Sequence, residues 1–345
     1  MRWLMAPLAA LCIAGCGTTT VKTSGPLQAT ITVGGRAGTP APGAGAVWIP
    51  NTGEGTVSKI DPATNRVSAT IRIGDAEAFY HNVCEGYGSV HSFMVTTFNV
   101  RRCDLPSAVA ANGQDVWAAK NDSNEVVQID PRSNRVSQKV PIGALPFNLL
   151  LTRDALWVTS YVDDAIVRVD PASGRVVTTI KVPGNGPTGM VDAGGFMWVA
   201  NSRAGSLSRI DPQKNTIEQT TPIMCPSTCL AGSEPLAVAT TGPAVWVRNV
   251  GNGTVARVNA RSARVEAMVE VDSFYGRDGQ DAMAVTPSAL WLSGISLQRV
   301  DPASNRVSRV TAEGGVTVAA GFDSLWVTDT VGHILRLDPR RLTPP

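Results

Sequence analysis

Charge is scarce in this chain. Only 17% of its 345 residues are Asp, Glu, Lys or Arg, and the formal net charge is +2. Without a strong field of either sign, composition gives little support to a nucleic-acid or acidic-surface partner. Histidine is rarer still, with three in the chain. The apolar run Leu4 to Ala14 is too short to span a bilayer. No Ser/His/Asp order, phosphate-cradling Gly loop or paired carboxylates stand out, so the recognised hydrolase and nucleotide-binding motifs are missing. Glycine and proline, by contrast, are plentiful at 33 and 23. With 43% hydrophobic residues and many Val, Ile and Trp, the chain reads as turn-rich β-structure with a core, not as disorder.

The N-terminus reads as an address. Arg2 is a short positive region, Leu4 to Ala14 has the length of a signal core, and Gly15 and Cys16 follow. The ending Ile13-Ala14-Gly15-Cys16 resembles the lipobox of bacterial lipoproteins. That resemblance implies cleavage after residue 15 and acylation of Cys16. Residues 16–26, small and polar, then form a flexible tether. The expected location is the cell envelope, with the protein held at the membrane and facing the periplasm or cell exterior. Cys12 leaves with the signal, so Cys84, Cys103, Cys225 and Cys229 remain, an even number in an oxidising compartment. Sequence proximity favours the pairs 84–103 and 225–229. No His lies beside either pair with zinc-finger spacing, so no metal is expected there.

Tryptophan recurs at 48, 117, 157, 198, 246, 291 and 326. Thirteen residues after the first four lies an Asp-Pro: Asp61-Pro62, Asp130-Pro131, Asp170-Pro171 and Asp211-Pro212. The fifth repeat has Asn259-Ala260 at that spacing, and the last two, shorter, have Asp301-Pro302 and Asp338-Pro339. Eleven residues before four of the tryptophans sits a proline: Pro106, Pro146, Pro187 and Pro235. Each unit of about 40 residues reads as four short strands, and such units are blades of a β-propeller. Segments such as Asp61-Pro-Ala-Thr-Asn65 have turn chemistry: Asp caps, Pro presets φ, and Asn tolerates a left-handed backbone. Seven marks predict an all-β, seven-bladed β-propeller over 27–345. The seventh unit stops after its third strand, and Leu27 to Gly34 matches the fourth strand of blade one, Val67 to Gly74. The N-terminal strand is therefore expected to complete blade seven and close the ring. Blade one has a poor first strand over 38–45.

The spacing also locates insertions, the largest at about 75–105 and smaller ones at 218–234 and 271–281, all between a fourth strand and the next first strand. They should crowd the rim that also carries the second-to-third strand loops, and loops of this kind favour function. The large insertion holds His81, Glu85 and His91. With Glu77 and His333 these are the weak candidates for a catalytic or metal site, but neither spacing nor a helix fixes any pair, and a disulfide-tied surface loop is the plainer reading. The third insertion contributes Tyr275 and Arg277. Three residues past each Trp lie Asn51, Lys120, Ser160, Asn201, Asn249, Gly294 and Asp329, a polar ring placed as candidate channel-rim binding residues.

Phrases such as Trp198-Val-Ala-Asn201, Leu207-Ser-Arg-Ile-Asp-Pro212 and Trp326-Val-Thr-Asp329 make the repeats similar to those of YVTN-type and streptogramin (virginiamycin B) lyase-like propellers. The resemblance covers about 27–345. Resemblance to the lyases implies a magnesium-dependent elimination that opens a cyclic depsipeptide, with a His general base on the channel rim. Where those lyases carry Trp-Phe-Thr-Glu, this chain has Trp-Val-Thr-Ser or Trp-Val-Ala-Asn. The expectation is therefore a monomeric, non-catalytic binding or scaffold module without a cofactor, for an envelope protein or cell-wall component. A lyase-like enzyme or small-molecule binder at the channel mouth is the alternative, and magnesium belongs to that alternative alone.

Overall fold

The structure, a computed structural model, describes residues 25–74, 106–121, 123–143, 145–182, 186–223, 233–272, 282–310, 315, 317–329 and 331–342. Twenty-eight described strands form seven four-stranded antiparallel sheets. Six sheets are sequential meanders, such as Pro187–Ala193, Phe196–Asn201, Ser206–Asp211 and Thr216–Pro222. The seventh takes three strands from the C-terminal end and its outermost strand from Leu27–Thr32, which pairs with His333–Leu337. This is the seven-bladed propeller with the closure that the repeat arithmetic predicts. Blade one begins with only Ala41–Gly43, as its Gly- and Pro-rich sequence implies.

The recurring Trp is a wedge between blades. All seven indoles are at most 2% exposed. Trp48 packs among Val116, Ala118, Val127 and Ile129 of the next blade, and Trp326 among Val47, Ile49 and Ile60 of blade one. Each wedge removes on the order of 200 Å² of aromatic surface from water. At about 25 cal/mol per Å² that is roughly 5 kcal/mol of transfer free energy per seam, before conformational entropy is subtracted.

The Asp-Pro turns do more than reverse the chain. In the first, the Asp61 carboxylate accepts from the Ala63 N–H at 2.8 Å and the Thr64 hydroxyl at 2.9 Å. Asn65 ends the turn at φ 58°, and Asn134, Asn215 and Asn305 repeat that geometry. Their side-chain oxygens face the preceding blade. Lys59 donates to Pro131 O at 2.7 Å, and Arg168 to Pro212 O at 2.8 Å and Asn215 Oδ1 at 2.9 Å. Arg257 reaches Pro302 O at 2.9 Å and Asn305 Oδ1 at 3.0 Å. Each of these cations lies over the Trp of its own blade, 5.1 to 5.6 Å from the ring centroid. Blade two has Gln128 at this position. Its seam is tied instead by Gln138, which donates to Ser173 O at 2.8 Å.

The fourth strands are outermost and alternate exposed with partly buried residues, as in Thr216–Pro222. That strand runs through residues 218–222, so the second insertion starts later than the spacing suggested. In the strand Arg175–Lys181, Val176 and Val177 are 45% and 54% exposed, and only Ile180 is buried. An outermost strand has no fifth neighbour to cover its first residues.

Candidate functional site

The two faces of the ring differ. One carries the first-to-second and Asp-Pro turns. The other carries the second-to-third strand loops and the points where each fourth strand hands over to the next blade. A repeated backbone bond holds those two features together. Gly74 N–H donates to Gly55 O, Ile223 N–H to Gly205 O, Val271 N–H to Gly253 O, and in blade seven Val33 N–H to Gly332 O. The intervals after Gly74, Ile223 and Asp272 therefore leave from one rim, beside the second-to-third loops.

Three of those loops carry exposed aliphatic side chains at their tips: Val162 at 47%, Ile295 at 57% and Val331 at 73%. Around Val162 lie polar and aromatic groups. Tyr161 stacks against Phe147 with ring centroids 5.8 Å apart, and the Arg203 guanidinium sits 5.0 Å over the Tyr161 ring while pairing with Asp164. Burial pushes the Tyr161 hydroxyl pKa up. Near Ile295, Asp272 accepts a two-pronged pair of bonds from Arg309 at 2.6 and 2.8 Å and a third from Ser296 at 2.9 Å. The Arg309 guanidinium chiefly holds the Asp272 carboxyl below its ordinary range.

Of the residues three past each Trp, the first five end the second strand, Asp329 follows it by one residue and Gly294 by two, and most are buried. Asn51, Ser160 and Asn201 are fully buried, Asn249 is 1% exposed and Lys120 3%. They pin strand to strand. Asn51 donates to Thr56 and Ser58, Asn201 to Ser206 and Ser208, and Asn249 to Thr254, at 2.8 to 3.1 Å. Lys120 pairs with Glu125 at 2.7 Å, and Ser160 donates to Asp163 at 3.1 Å. The Oδ1 atoms of Asn51, Asn201 and Asn249 are buried without a partner among the described residues. The ring is thus a set of polar clamps whose amides each keep one spare acceptor.

Asp329 and His333 behave differently. One oxygen of Asp329 accepts the backbone N–H groups of Val331 at 2.9 Å and His333 at 2.8 Å. The other lies 2.8 Å from His333 Nδ1. Burial pushes the Asp329 pKa up, yet the hydrogen bonds from His333 and Val331 outweigh it and leave the carboxyl below its ordinary range. The imidazole is partly exposed, with a side-chain exposure of 37%. Sequence reasoning placed His333 near this rim and Asp329 in the ring; their contact follows from the tight turn between them. His81, His91, Glu77, Glu85, Tyr275, Arg277, Cys16 and the four cysteines 84, 103, 225 and 229 lie outside the described residues. No three His, Cys, Asp or Glu side chains gather into a possible metal site among the described residues. The described rim therefore does not by itself furnish a donor set for the magnesium that the lyase resemblance implies. Missed in the sequence were the exposed loop tips, which carry no periodic signal, and Arg203, Arg248 and Arg309, which reach across blades.

No protein-family model matches the chain, and no curated protein matches it. Solved structures do. Streptogramin B lyase superposes with a TM-score of 0.66 at 14% identity, covering 90% of this chain and 97% of its own. Virginiamycin B lyase from Staphylococcus aureus gives 0.63 at 13%, with 92% and 96% covered. The β-propeller domain of Swd1 from Myceliophteria thermophila gives 0.66 at 13%, with 90% and 98% covered. At these identities the likeness is one of fold: the chain is a seven-bladed β-propeller similar in architecture to the streptogramin lyases and to other propellers.

Proposed function

We propose that the chain is a lipid-anchored envelope propeller that works as a non-catalytic binding module for a protein or cell-wall partner. The insertion rim is its binding face. One observation carries this reading: Val162, Ile295 and Val331 stand exposed on the rim from which the three long intervals leave. Exposed aliphatic groups beside fixed ion pairs, on the loops of three blades, are contact points that a partner can bury. The lipobox-like Cys16 supports the envelope location and the anchor. Native mass spectrometry of the protein in envelope extract tests the reading. A discrete bound mass is expected for the wild type, and its loss in Val162→Asp/Ile295→Asp/Val331→Asp. An adduct retained by the triple variant would move the binding face elsewhere.

The Asp329–His333 pair favours a second reading, a lyase-like enzyme or small-molecule site at the channel mouth. An ionised carboxylate at Nδ1 fixes the ring so that Nε2 is the acceptor, which is the arrangement of a general base. In this reading His333 Nε2 takes a proton from the substrate carbon next to the one bearing the ester oxygen; that electron pair forms a C=C bond, the ester C–O bond breaks, and the carboxylate released leaves the ring open. Linearisation of a streptogramin B substrate by the wild type, abolished by His333→Ala, would replace the binding reading with this one.

A further inference from the structure

The composition is nearly neutral, but the fold sorts the charge by face. At the first residue after the left-handed position of the Asp-Pro-type turns stand Arg66, Arg135, Arg175, Arg264 and Arg306, in five of the six described turns that have such a position; blade four has Thr216 there. All five are exposed, and none makes an ion pair among the described residues. Because the seam bonds tie each such turn to the preceding blade, the turns share one face and the arginines form an arc around it. The turn Asp residues stay ionised, yet their oxygens are directed into their own turns by N–H and hydroxyl donors, while the guanidinium groups project outward. With the third-strand cations added, positive charges outnumber carboxylates on this face; the described charges of the opposite rim balance.

The chain enters the fold on the same face. Leu27 pairs with Leu337, and Pro26 O accepts the N–H of Asp338, the last Asp-Pro turn. The strand then runs away from this face and ends at the rim, where Val33 bonds to Gly332. Eight residues lie between Cys16 and Gly25, a span of at most roughly 30 Å. The leash attaches to the fold at the turn face, so an anchor at Cys16 brings that face nearer to the membrane than the rim.

From the arc and the entry point together we infer that the Asp-Pro turn face is a docking surface for anionic phospholipid headgroups, which leaves the insertion rim pointing away from the bilayer. The orientation rests on the anchor reading of Cys16; the headgroup affinity does not. Guanidinium groups suit phosphate because they form two parallel bonds to it, and several weak contacts at one surface add to the hold of an acyl anchor.

Flotation of purified Cys16→Ser protein with vesicles tests the affinity without the anchor. Binding to phosphatidylglycerol-containing vesicles, not to pure phosphatidylcholine, is expected, and it should weaken at least tenfold in 0.5 M salt. Arg175→Glu/Arg264→Glu/Arg306→Glu should weaken it at least tenfold. The matched change at the other end of the same kind of strand, Arg72→Glu/Lys139→Glu/Lys181→Glu, should stay within twofold. Both variants are checked for an unchanged melting temperature, and single Arg→Gln variants serve if a triple does not fold. No binding to anionic vesicles, or equal loss in the two triples, overturns the proposal. So does equally tight binding of RNA at the same salt. Membrane fractionation of wild type against Cys16→Ser tests the anchor separately, so either idea can fail alone.

Discussion

Arg336 donates to the side-chain oxygen of Asn65 at 2.8 Å, joining residues 271 positions apart in the chain. The same guanidinium bonds Pro62 O and lies 5.0 Å over Trp326. Blade seven is thereby tied to blade one through the bond that joins blades three to four and five to six. The ring is closed twice, by the N-terminal strand at its outer edge and by this seam on the turn face.

Removing the seam bond should be costly. Arg336→Met leaves Pro62 O and Asn65 Oδ1 without their charged donor, a loss of about 2 kcal/mol. Thermal or urea unfolding should show a clear drop for Arg336→Met. Arg66→Met, at an exposed and unpaired position, should stay within about 0.5 kcal/mol of the wild type.

Closure by the first strand has its own test. Ile31 is 5% exposed and packs with Trp326, Ile334 and Ile49. Ile31→Ala should lower stability by about 2–4 kcal/mol. Thr30→Ala, at an exposed position one residue away, should change it little. Equal effects at the two positions would mean that the strand does not contribute to the core.

The blades are not equivalent. Trp198 Nε1 donates to Ala193 O at 3.1 Å, and four other indoles make the equivalent bond to the residue five positions earlier. Trp117 Nε1 has no partner among the described residues. Asn112, five before it, gives its side chain to Gln114 and Asp115 and its carbonyl to Ala44. Both Trp→Phe changes remove similar volume, but only Trp198→Phe also removes an indole hydrogen bond. Trp198→Phe should therefore cost about 1 kcal/mol more than Trp117→Phe in urea denaturation.

Acid should loosen the turns. Asp61 is held below its ordinary range chiefly by the Ala63 N–H, Asp170 by the Ser173 hydroxyl, and Asp211 by Lys214, which lowers it to about 2. A carboxyl whose folded pKa is depressed adds stability above its unfolded value of 3.8, and that stability is lost as pH falls through the folded pKa. The melting temperature should be level from pH 7 to pH 5 and fall below pH 4. Asp61→Asn/Asp170→Asn/Asp211→Asn should start lower and fall less between pH 5 and pH 2. Parallel curves would assign the acid sensitivity to other groups.

The fold was legible because its marks are local and periodic. A Trp every 40 residues, an Asp-Pro at fixed distance and an unpaired final unit are written along the chain, and packing obeys them. The cross-blade bonds were half legible: a basic residue stands two before the Asp at 59, 168, 209, 299 and 336, but for four of them an acceptor lies in another repeat, while Arg299 bonds Ser288 O in its own. The site was much less so. Asn51, Asn201 and Asn249 stand out in the sequence as polar residues that follow the Trp, but their burial and their bonds to the third strand come from strand geometry. The exposed tips at Val162, Ile295 and Val331 are single aliphatic residues in loops, and nothing in a sequence marks such a residue as outward. Net charge hid the arginine arc, because composition averages over faces.

The claim at the centre of this account is that the insertion rim is the binding face. Site-specific photo-crosslinking in intact cells tests it most directly, with the crosslinker placed at Val331 or Ile295 on the rim and at Val177 on an outermost strand. The account predicts one discrete crosslinked species from each rim position and none from Val177. Crosslinking from Val177 alone, or from none of the three, would contradict it.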